Sequence, residues 1–271
     1  MKIRLFLSVL AMAILSSSVS SSYAIVVLDN PDNHVVVAPS AFDMVGKLSN
    51  AGTTTGVLID PMHVLTAKHC VASSSSGTFT LELASGTVSY TWTEKELHPT
   101  ADLAILTLSS STGLSGYPVY DASDEIGKEI IMVGYGVSGV GHPDSVNYPK
   151  GTKRFGYNKV DGIYVDSGLE YLQSDFDTGP VDKEVMIADG DSGGPSFIEI
   201  NGVYYIAGIH HGVSDNDGDG IYPEVHDFGF DVRVSDYSDW IVQQVPEPIS
   251  IVLFITGLGL IRRRNRYAAN N

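Results

Sequence analysis

Short hydrophobic runs followed by turn-forming residues restrict the fold of this chain more than any other feature. The runs are rich in β-branched and aromatic residues, and Gly, Ser, Asn and Asp separate them, which is typical of short β-strands. Several such strands at this spacing predict an all-β sandwich or barrel. The predicted strands are Thr78–Leu83, Val88–Trp92, Leu103–Leu108, Ile130–Val133, Ser196–Ile200, Val203–Ile209 and Phe230–Val234.

One helix is predicted after the last of these strands. Ser235 can cap its N-terminus. Tyr237, Trp240 and Ile241 stand at positions i, i+3 and i+4, which gives a helix one apolar face. The chain therefore predicts a β structure with a short C-terminal helix.

Residues 1–24 have the organisation of a secretory signal peptide. Lys2 and Arg4 supply positive charge before the apolar run Leu5–Leu15. Ser22–Ala24 supplies a small-x-small cleavage site, and the apolar run is too short for a membrane anchor. We therefore expect signal peptidase to remove this segment and to leave an exported protein that begins at Ile25.

Residues 245–266 combine a Pro-Glu-Pro motif, the apolar run Ile249–Ile261 and the basic cluster Arg262–Arg264. The run is shorter than the roughly 20 residues that a spanning helix needs. This order resembles the PEP-CTERM sorting signal of Gram-negative bacteria, in which the run is a short transmembrane helix. The resemblance implies an exosortase-type enzyme as partner, and release or attachment at the cell envelope. A plain C-terminal membrane tail is the alternative.

Charge and cysteine content restrict the partners and the covalent structure. The formal net charge is −16, and several of the basic residues lie at the two chain ends, so the body of the chain is strongly acidic. This acidity argues against nucleic acid as a partner. The single cysteine, Cys70, excludes a disulfide within the chain.

Three segments contain the residue types of nucleophilic catalysis. Ser192 stands among glycines in Gly190–Pro195, His69 follows an apolar run, and Asp102 precedes another. A serine hydroxyl needs a base within hydrogen-bond reach, a histidine can be that base, and an aspartate can fix the imidazole tautomer. The N–H groups of Gly190 and Ser192 can point at the developing oxyanion. Taken singly, such a histidine or aspartate is more often structural.

The order His69, Asp102, Ser192 resembles that of the trypsin/chymotrypsin family of serine endopeptidases. Gly56–Ile59 has the family's spacing upstream of His69, Gly134–Gly136 is similar to its Gly-Trp-Gly, and Phe230–Trp240 resembles its last strand and helix. The resemblance implies two six-stranded antiparallel barrels with the triad in the cleft between them. They would form one protease domain over residues 25–244, with the lobe boundary near 110–120.

One departure concerns the region beside His69. Thr54 stands where the family usually has the cysteine that pairs with Cys70, so the disulfide is missing. We expect Cys70 to be a buried, inert thiol.

The resemblance also implies an activation step. Cleavage after Ala24 leaves Ile25 and Val26 at the new N-terminus, similar to the Ile-Val start of mature family members. In the family this amine pairs with the aspartate before the catalytic serine, here Asp191. Signal peptidase would then produce the active enzyme directly. The alternative is that Ile25 merely begins the first strand.

Specificity is expected to differ from that of trypsin. The family's pocket floor falls on Met186, followed by Ile187, and neither can select Arg or Lys. Gly208–Gly212 resembles the Gly-Ile-His segment of glutamyl endopeptidases, so His210 could contact a substrate glutamate. A core histidine is the alternative, and an apolar pocket is the default. The predicted pocket residues are Met186, Ile187, His210, Gly212 and Gly229.

Alternating carboxylates predict one metal site. Asp215, Asp217 and Asp219, with Gly220 in the sixth position, resemble the start of an EF-hand calcium loop. The twelfth position is His226 instead of glutamate, so a solvated acidic turn is the alternative. No cofactor is required for the predicted reaction.

These observations predict a secreted or envelope-associated serine endopeptidase that cleaves polypeptides. The alternative is a catalytically silent protein with the protease fold that binds polypeptide or polysaccharide at the envelope.

Overall fold

The computed structural model describes residues 25–27, 41–50, 52–139, 150–177, 184–216, 218, 220 and 223–245. The predicted signal peptide and the sorting signal beyond Val245 lie outside these ranges, so both stay predictions. No helix within the described ranges is long and apolar enough to span a membrane.

The first lobe is a closed antiparallel barrel of six strands, as the resemblance implied. Its interior is filled by wholly buried side chains such as Leu48, Phe79 and Trp92. Leu48 and Phe79 are register partners where the last strand of the barrel meets the first and closes it. In hydrogen-bonded order the strands are β2 (Val45–Ser49), β3 (Thr53–Leu58), β4 (His63–Thr66), β7 (Ala104–Leu108), β6 (Gly86–Leu97) and β5 (Gly77–Leu83).

The second lobe is an antiparallel sheet of seven strands, one more than the resemblance implied. The runs predicted at Ile130, Ser196, Val203 and Phe230 all form strands of this sheet. In hydrogen-bonded order the strands are β10 (Gly162–Asp166), β11 (Leu169–Asp175), β15 (Phe228–Arg233), β14 (Val203–Ser214), β13 (Pro195–Ile200), β8 (Glu129–Gly134) and β9 (Arg154–Lys159).

Two short strands bring the start of the described chain to the second lobe. β1 (Val26–Val27) pairs with β12 (Val185–Met186), and Val26 is the register partner of Met186. Ile25 is 1% exposed and packs in the same apolar cluster as Met186. Ile25, the predicted new N-terminal residue, is thus buried at the edge of the second lobe.

The helices are short, and the predicted cap is wrong. α1 spans Lys68–Val71, a 3-10 turn spans Val234–Tyr237, and α2 spans Ser238–Gln244. Tyr237, not Ser235, stands at the N-cap of α2. The Ser235 hydroxyl instead donates to Glu125 Oε1 at 2.6 Å, because a buried carboxylate competes for it.

The connection between the lobes, residues 109–128, is fixed by a buried ion pair. Glu125 is fully buried and accepts hydrogen bonds from Arg233 Nε at 3.1 Å and Nη2 at 2.8 Å. Because Arg233 ends β15, the pair holds the connection against the second lobe.

Candidate active site

His69 and Asp102 meet beside two neighbouring strands of the first barrel. His69 lies on α1, directly after β4, and Asp102 lies just before β7, which pairs with β4. His69 Nδ1 is 2.7 Å from Asp102 Oδ2, and the His69 backbone N–H donates to Oδ1 at 2.8 Å. The two contacts fix both the ring and the carboxylate.

The same contacts set the charges of the pair. The hydrogen bond to Asp102, and secondarily the contact with the Cys70 thiol, raise the pKa of His69 above its ordinary value. Burial raises the pKa of Asp102, but hydrogen bonds from His211 and His69 outweigh burial and hold that pKa well below its usual range. The arrangement therefore stabilises an imidazolium, the form that His69 takes when it accepts a proton.

A histidine and the C-terminal helix position Asp102. His98 Nδ1 accepts the N–H of Ala101 at 2.8 Å, which shapes the loop before Asp102. The His98 ring packs edge-on against Tyr237 and Trp240, with centroids 4.8 Å and 5.0 Å away. Two residues of the apolar face predicted for the helix thus pack against the loop that precedes Asp102.

Ser192 lies in a tight turn that both lobes hold. Its carbonyl oxygen accepts the N–H of Thr55, on β3, at 3.0 Å. The Gly193 N–H donates to the backbone carbonyl oxygen of His210, on β14, at 2.9 Å. Gly190 has a φ of 100°, which glycine adopts without strain. The Thr55 hydroxyl donates to the Gly190 carbonyl oxygen at 3.1 Å, so the first lobe fixes the turn in this conformation.

The Ser192 hydroxyl and the N–H groups of Gly190 and Ser192, which would meet a substrate, have no hydrogen-bond partner among the described residues. Within the described ranges, the N–H groups of Gly190 and Ser192 donate no hydrogen bond. No hydrogen bond joins the Ser192 hydroxyl to His69 in the same ranges, and His69 Nε2 is instead 3.6 Å from Cys70 Sγ. In apo enzymes such catalytic contacts are often long and tighten when substrate binds.

Asp191 is completely buried beside this turn. Its Oδ1 accepts the N–H of Gly136 at 2.7 Å, and its Oδ2 accepts the N–H of Ala188 at 2.9 Å. A Cβ on Gly134 or Gly136 would collide with the Asp191 carboxyl group, so the Gly-Tyr-Gly motif makes room for it. Burial raises the pKa of Asp191 to about 6, and it outweighs the opposing effects of the His210 and Arg154 charges and of the two N–H donors.

We expect Gly134→Ala to destabilise the protein by about 1–3 kcal/mol, because the added methyl group overlaps Asp191 and neither the strand nor the buried carboxyl can yield easily. Urea unfolding measures the effect. Gly162→Ala on β10 is the matched control, because a Cβ there meets no atom within 4 Å. Equal stability of the two variants would contradict this explanation of the motif.

His211 is a site residue that the sequence did not reveal. Its Nδ1 lies 2.6 Å from Asp102 Oδ2, so two histidines share one carboxylate oxygen. A bulge in β14 between His210 and Gly212 changes the register at this point. Strand alternation places neighbouring residues on opposite faces, but the sequence alone does not show which face reaches Asp102. The paired histidines on a strand near the site were the only signal.

His210 points into the second lobe. It is fully buried, and its Nδ1 lies 2.8 Å from Oδ1 of buried Asp231. This placement favours the core-histidine alternative over contact with a substrate glutamate. The glutamate hypothesis stays a prediction that specificity measurements can test.

The other predicted pocket residues fall into two groups. Met186 and Ile187 are buried, and a Cβ on Gly229 would collide with Met186 Sδ, so Met186 and Gly229 are in contact. Gly212 pairs with Phe230, the neighbour of Gly229 on β15, and a Cβ on Gly212 would meet no atom within 4 Å. Met186 and Ile187 supply an apolar surface without a carboxylate of their own.

The structure describes only part of the predicted calcium loop. Asp215 Oδ1 accepts the N–H of Gly218 at 2.6 Å, and its Oδ2 accepts that of Gly220 at 2.8 Å. Asp217 and Asp219 lie outside the described residues, so calcium binding stays a prediction.

Comparison with known proteins agrees with this geometry. The family model for trypsin matches residues 33–241, a range that contains His69, Asp102 and Ser192. The search of curated proteins found no match to the chain.

Proposed function

Because the chain belongs to the trypsin family, we propose that it is a secreted serine endopeptidase that cleaves polypeptides through Ser192, His69 and Asp102. The observation that carries the proposal is the hydrogen-bonded His69–Asp102 pair beside a turn whose Gly190 and Ser192 N–H groups donate to no group in the described part of the chain. Hydrolysis of an unfolded protein by the processed chain, with Ser192→Ala as control, tests it.

Each group has one role in this reaction. Ser192 Oγ attacks the substrate carbonyl carbon while His69 Nε2 takes the hydroxyl proton, and Asp102 stabilises the resulting imidazolium. The N–H groups of Gly190 and Ser192 bind the oxyanion, and removal of one such donor costs roughly 2.7–4 kcal/mol. His69 then gives its proton to the leaving amine, which leaves an acyl-enzyme. Water, deprotonated by His69, releases the acid and restores Ser192.

A catalytically silent binding protein is the second candidate. The missing hydrogen bond between Ser192 and His69 favours it, since a serine without its base is a poor nucleophile. The two candidates differ in one property, which is covalent reaction at Ser192.

Export completes the proposal and rests on the two terminal segments. Signal peptidase would release the chain at Ile25, and an exosortase-type enzyme would process residues 245–266 at the envelope of a Gram-negative bacterium. The acidic composition is compatible with a soluble exported domain.

We expect cleavage after apolar or small residues and none after Arg or Lys, because neither Met186 nor Ile187 can neutralise a basic side chain. A peptide library read by mass spectrometry measures this preference. Preferred cleavage after Arg or Lys would contradict the pocket assignment. Cleavage after Glu that is lost in His210→Ala would support the glutamate hypothesis instead.

A further inference from the structure

The geometry points to a transition-metal site, formed by His69, Asp102 and His211, that takes Zn²⁺ and blocks the catalytic base. Two imidazoles and one carboxylate converge on a single point of this surface. Zn²⁺ prefers this donor set, and three protein ligands leave its fourth position open to water.

The donor atoms are already close together. His69 Nδ1 and His211 Nδ1 lie 2.7 Å and 2.6 Å from the same atom, Asp102 Oδ2. A tetrahedral ion with bonds of about 2.0–2.1 Å holds its ligands about 3.3 Å apart. The two nitrogens therefore have to move away from the oxygen by only about 0.6–0.7 Å, within the reach of small side-chain rotations.

Access and rigidity also suit a metal ion. The His69 and His211 side chains are 45% and 39% exposed, so an ion can reach them from solvent, whereas Asp102 is 13% exposed. The His211 ring packs against Tyr171 with centroids 5.0 Å apart, and the His69 backbone N–H holds the second oxygen of Asp102. The ligands are thus largely oriented before the ion binds.

Binding and catalysis exclude each other at this site. A neutral imidazole that binds the ion through Nδ1 carries its proton on Nε2, so His69 can no longer accept the proton of Ser192. The ion also takes the Asp102 oxygen that stabilises the imidazolium. Inhibition by Zn²⁺ rests on the proposed peptidase function, but metal binding does not.

The test measures binding in Ser192→Ala protein, which keeps all three ligands and cannot digest itself. Equilibrium dialysis with Zn²⁺ should give one ion per chain, and Co²⁺ should give the intense visible absorption of a four-coordinate ion. His211→Ala should weaken binding by at least about 10-fold. His69→Ala, at an exposed position, should do the same and serves if His211→Ala fails to fold.

Two control variants distinguish this site from other metal-binding groups. His226→Asn removes an exposed histidine outside the site, and asparagine tolerates its φ of 84°. Asp177→Asn alters the separate cluster of Asp175, Asp177 and Glu184. Neither should change the affinity. Undiminished binding in both His211→Ala and His69→Ala, or no binding of Zn²⁺ to Ser192→Ala protein, would overturn the inference.

Discussion

Ser192→Ala protein is expected to hydrolyse peptides several orders of magnitude more slowly than the unaltered protein, because the reaction has no other nucleophile to form the acyl-enzyme. For triads of this kind the loss is roughly 10⁶-fold in kcat. His69→Ala should cost about as much, since Ser192 then lacks its base. Asp102→Asn should cost about 10⁴-fold, because the amide favours the wrong imidazole tautomer. Initial rates on a fluorogenic peptide measure all three.

The three variants should keep the native fold, which separates loss of chemistry from loss of structure. The His69 side chain is 45% exposed, and replacement of Ser192 by alanine removes only a hydroxyl group that has no partner among the residues the structure describes. Thermal melts close to that of the unaltered protein are therefore expected for Ser192→Ala and His69→Ala. Undiminished peptide hydrolysis by purified, folded Ser192→Ala protein would contradict the assignment.

Protein that retains Ala24 before Ile25 is expected to be almost inactive, whereas protein that begins at Ile25 is active. Ile25 is buried, and its carbonyl oxygen accepts a hydrogen bond from the Ser138 hydroxyl at 2.6 Å. The new N-terminus would therefore lie inside the second lobe. There a free ammonium group can pair with Asp191, whose carboxylate accepts the N–H groups of Gly136 and Ala188. The pair would hold the turn that carries Gly190 and Ser192.

Backbone strain at Ile25 also favours activation by cleavage after Ala24. Ile25 has a φ of 67°, a conformation that a β-branched residue adopts at a cost of about 1–3 kcal/mol. This torsion angle is defined by the bond to Ala24, so cleavage after Ala24 removes it and relieves the strain.

A pH series gives this prediction a second measurement. In protein that retains Ala24, burial raises the pKa of Asp191 from 3.8 to about 6. Between these two values the folded state therefore holds a proton that the unfolded state has lost. The free energy of unfolding should then fall by about 3 kcal/mol as the pH rises from about 3 to about 7. The processed form should show a smaller fall, because the ammonium group stabilises the carboxylate. Full activity of the Ala24-extended protein would refute the activation step.

Much of this architecture could be predicted because local patterns dominate it. Apolar and β-branched runs predict the strands around Phe79, Leu106 and Ile131, and the structure confirms that these segments are strands. The hairpin of β10 and β11 was missed because its outer residues, such as Tyr164 and Val165, are exposed and follow no clear alternation. The extra strand of the second lobe comes from this hairpin.

The residues of the candidate site also divide into those that the sequence predicts and those that it does not. His69, Asp102 and Ser192 could be chosen from sequence because each stands in a recognisable segment, and the structure brings His69 and Asp102 together. The contact of His211 with Asp102 could not be predicted, because it depends on a β-bulge whose position no residue type marks. The Ser235 cap failed because a distant carboxylate, Glu125, takes the hydroxyl in the folded chain.

Labelling with a fluorophosphonate probe tests the central claim most directly, because this reagent forms a covalent bond only with an activated serine. The processed protein that begins at Ile25 should incorporate one probe molecule per chain, with mass spectrometry placing it on Ser192. Ser192→Ala protein should incorporate none, and His69→Ala protein should react far more slowly. Failure of folded, processed protein to react, or equal labelling of Ser192→Ala protein, would contradict the assignment of this chain as a serine endopeptidase.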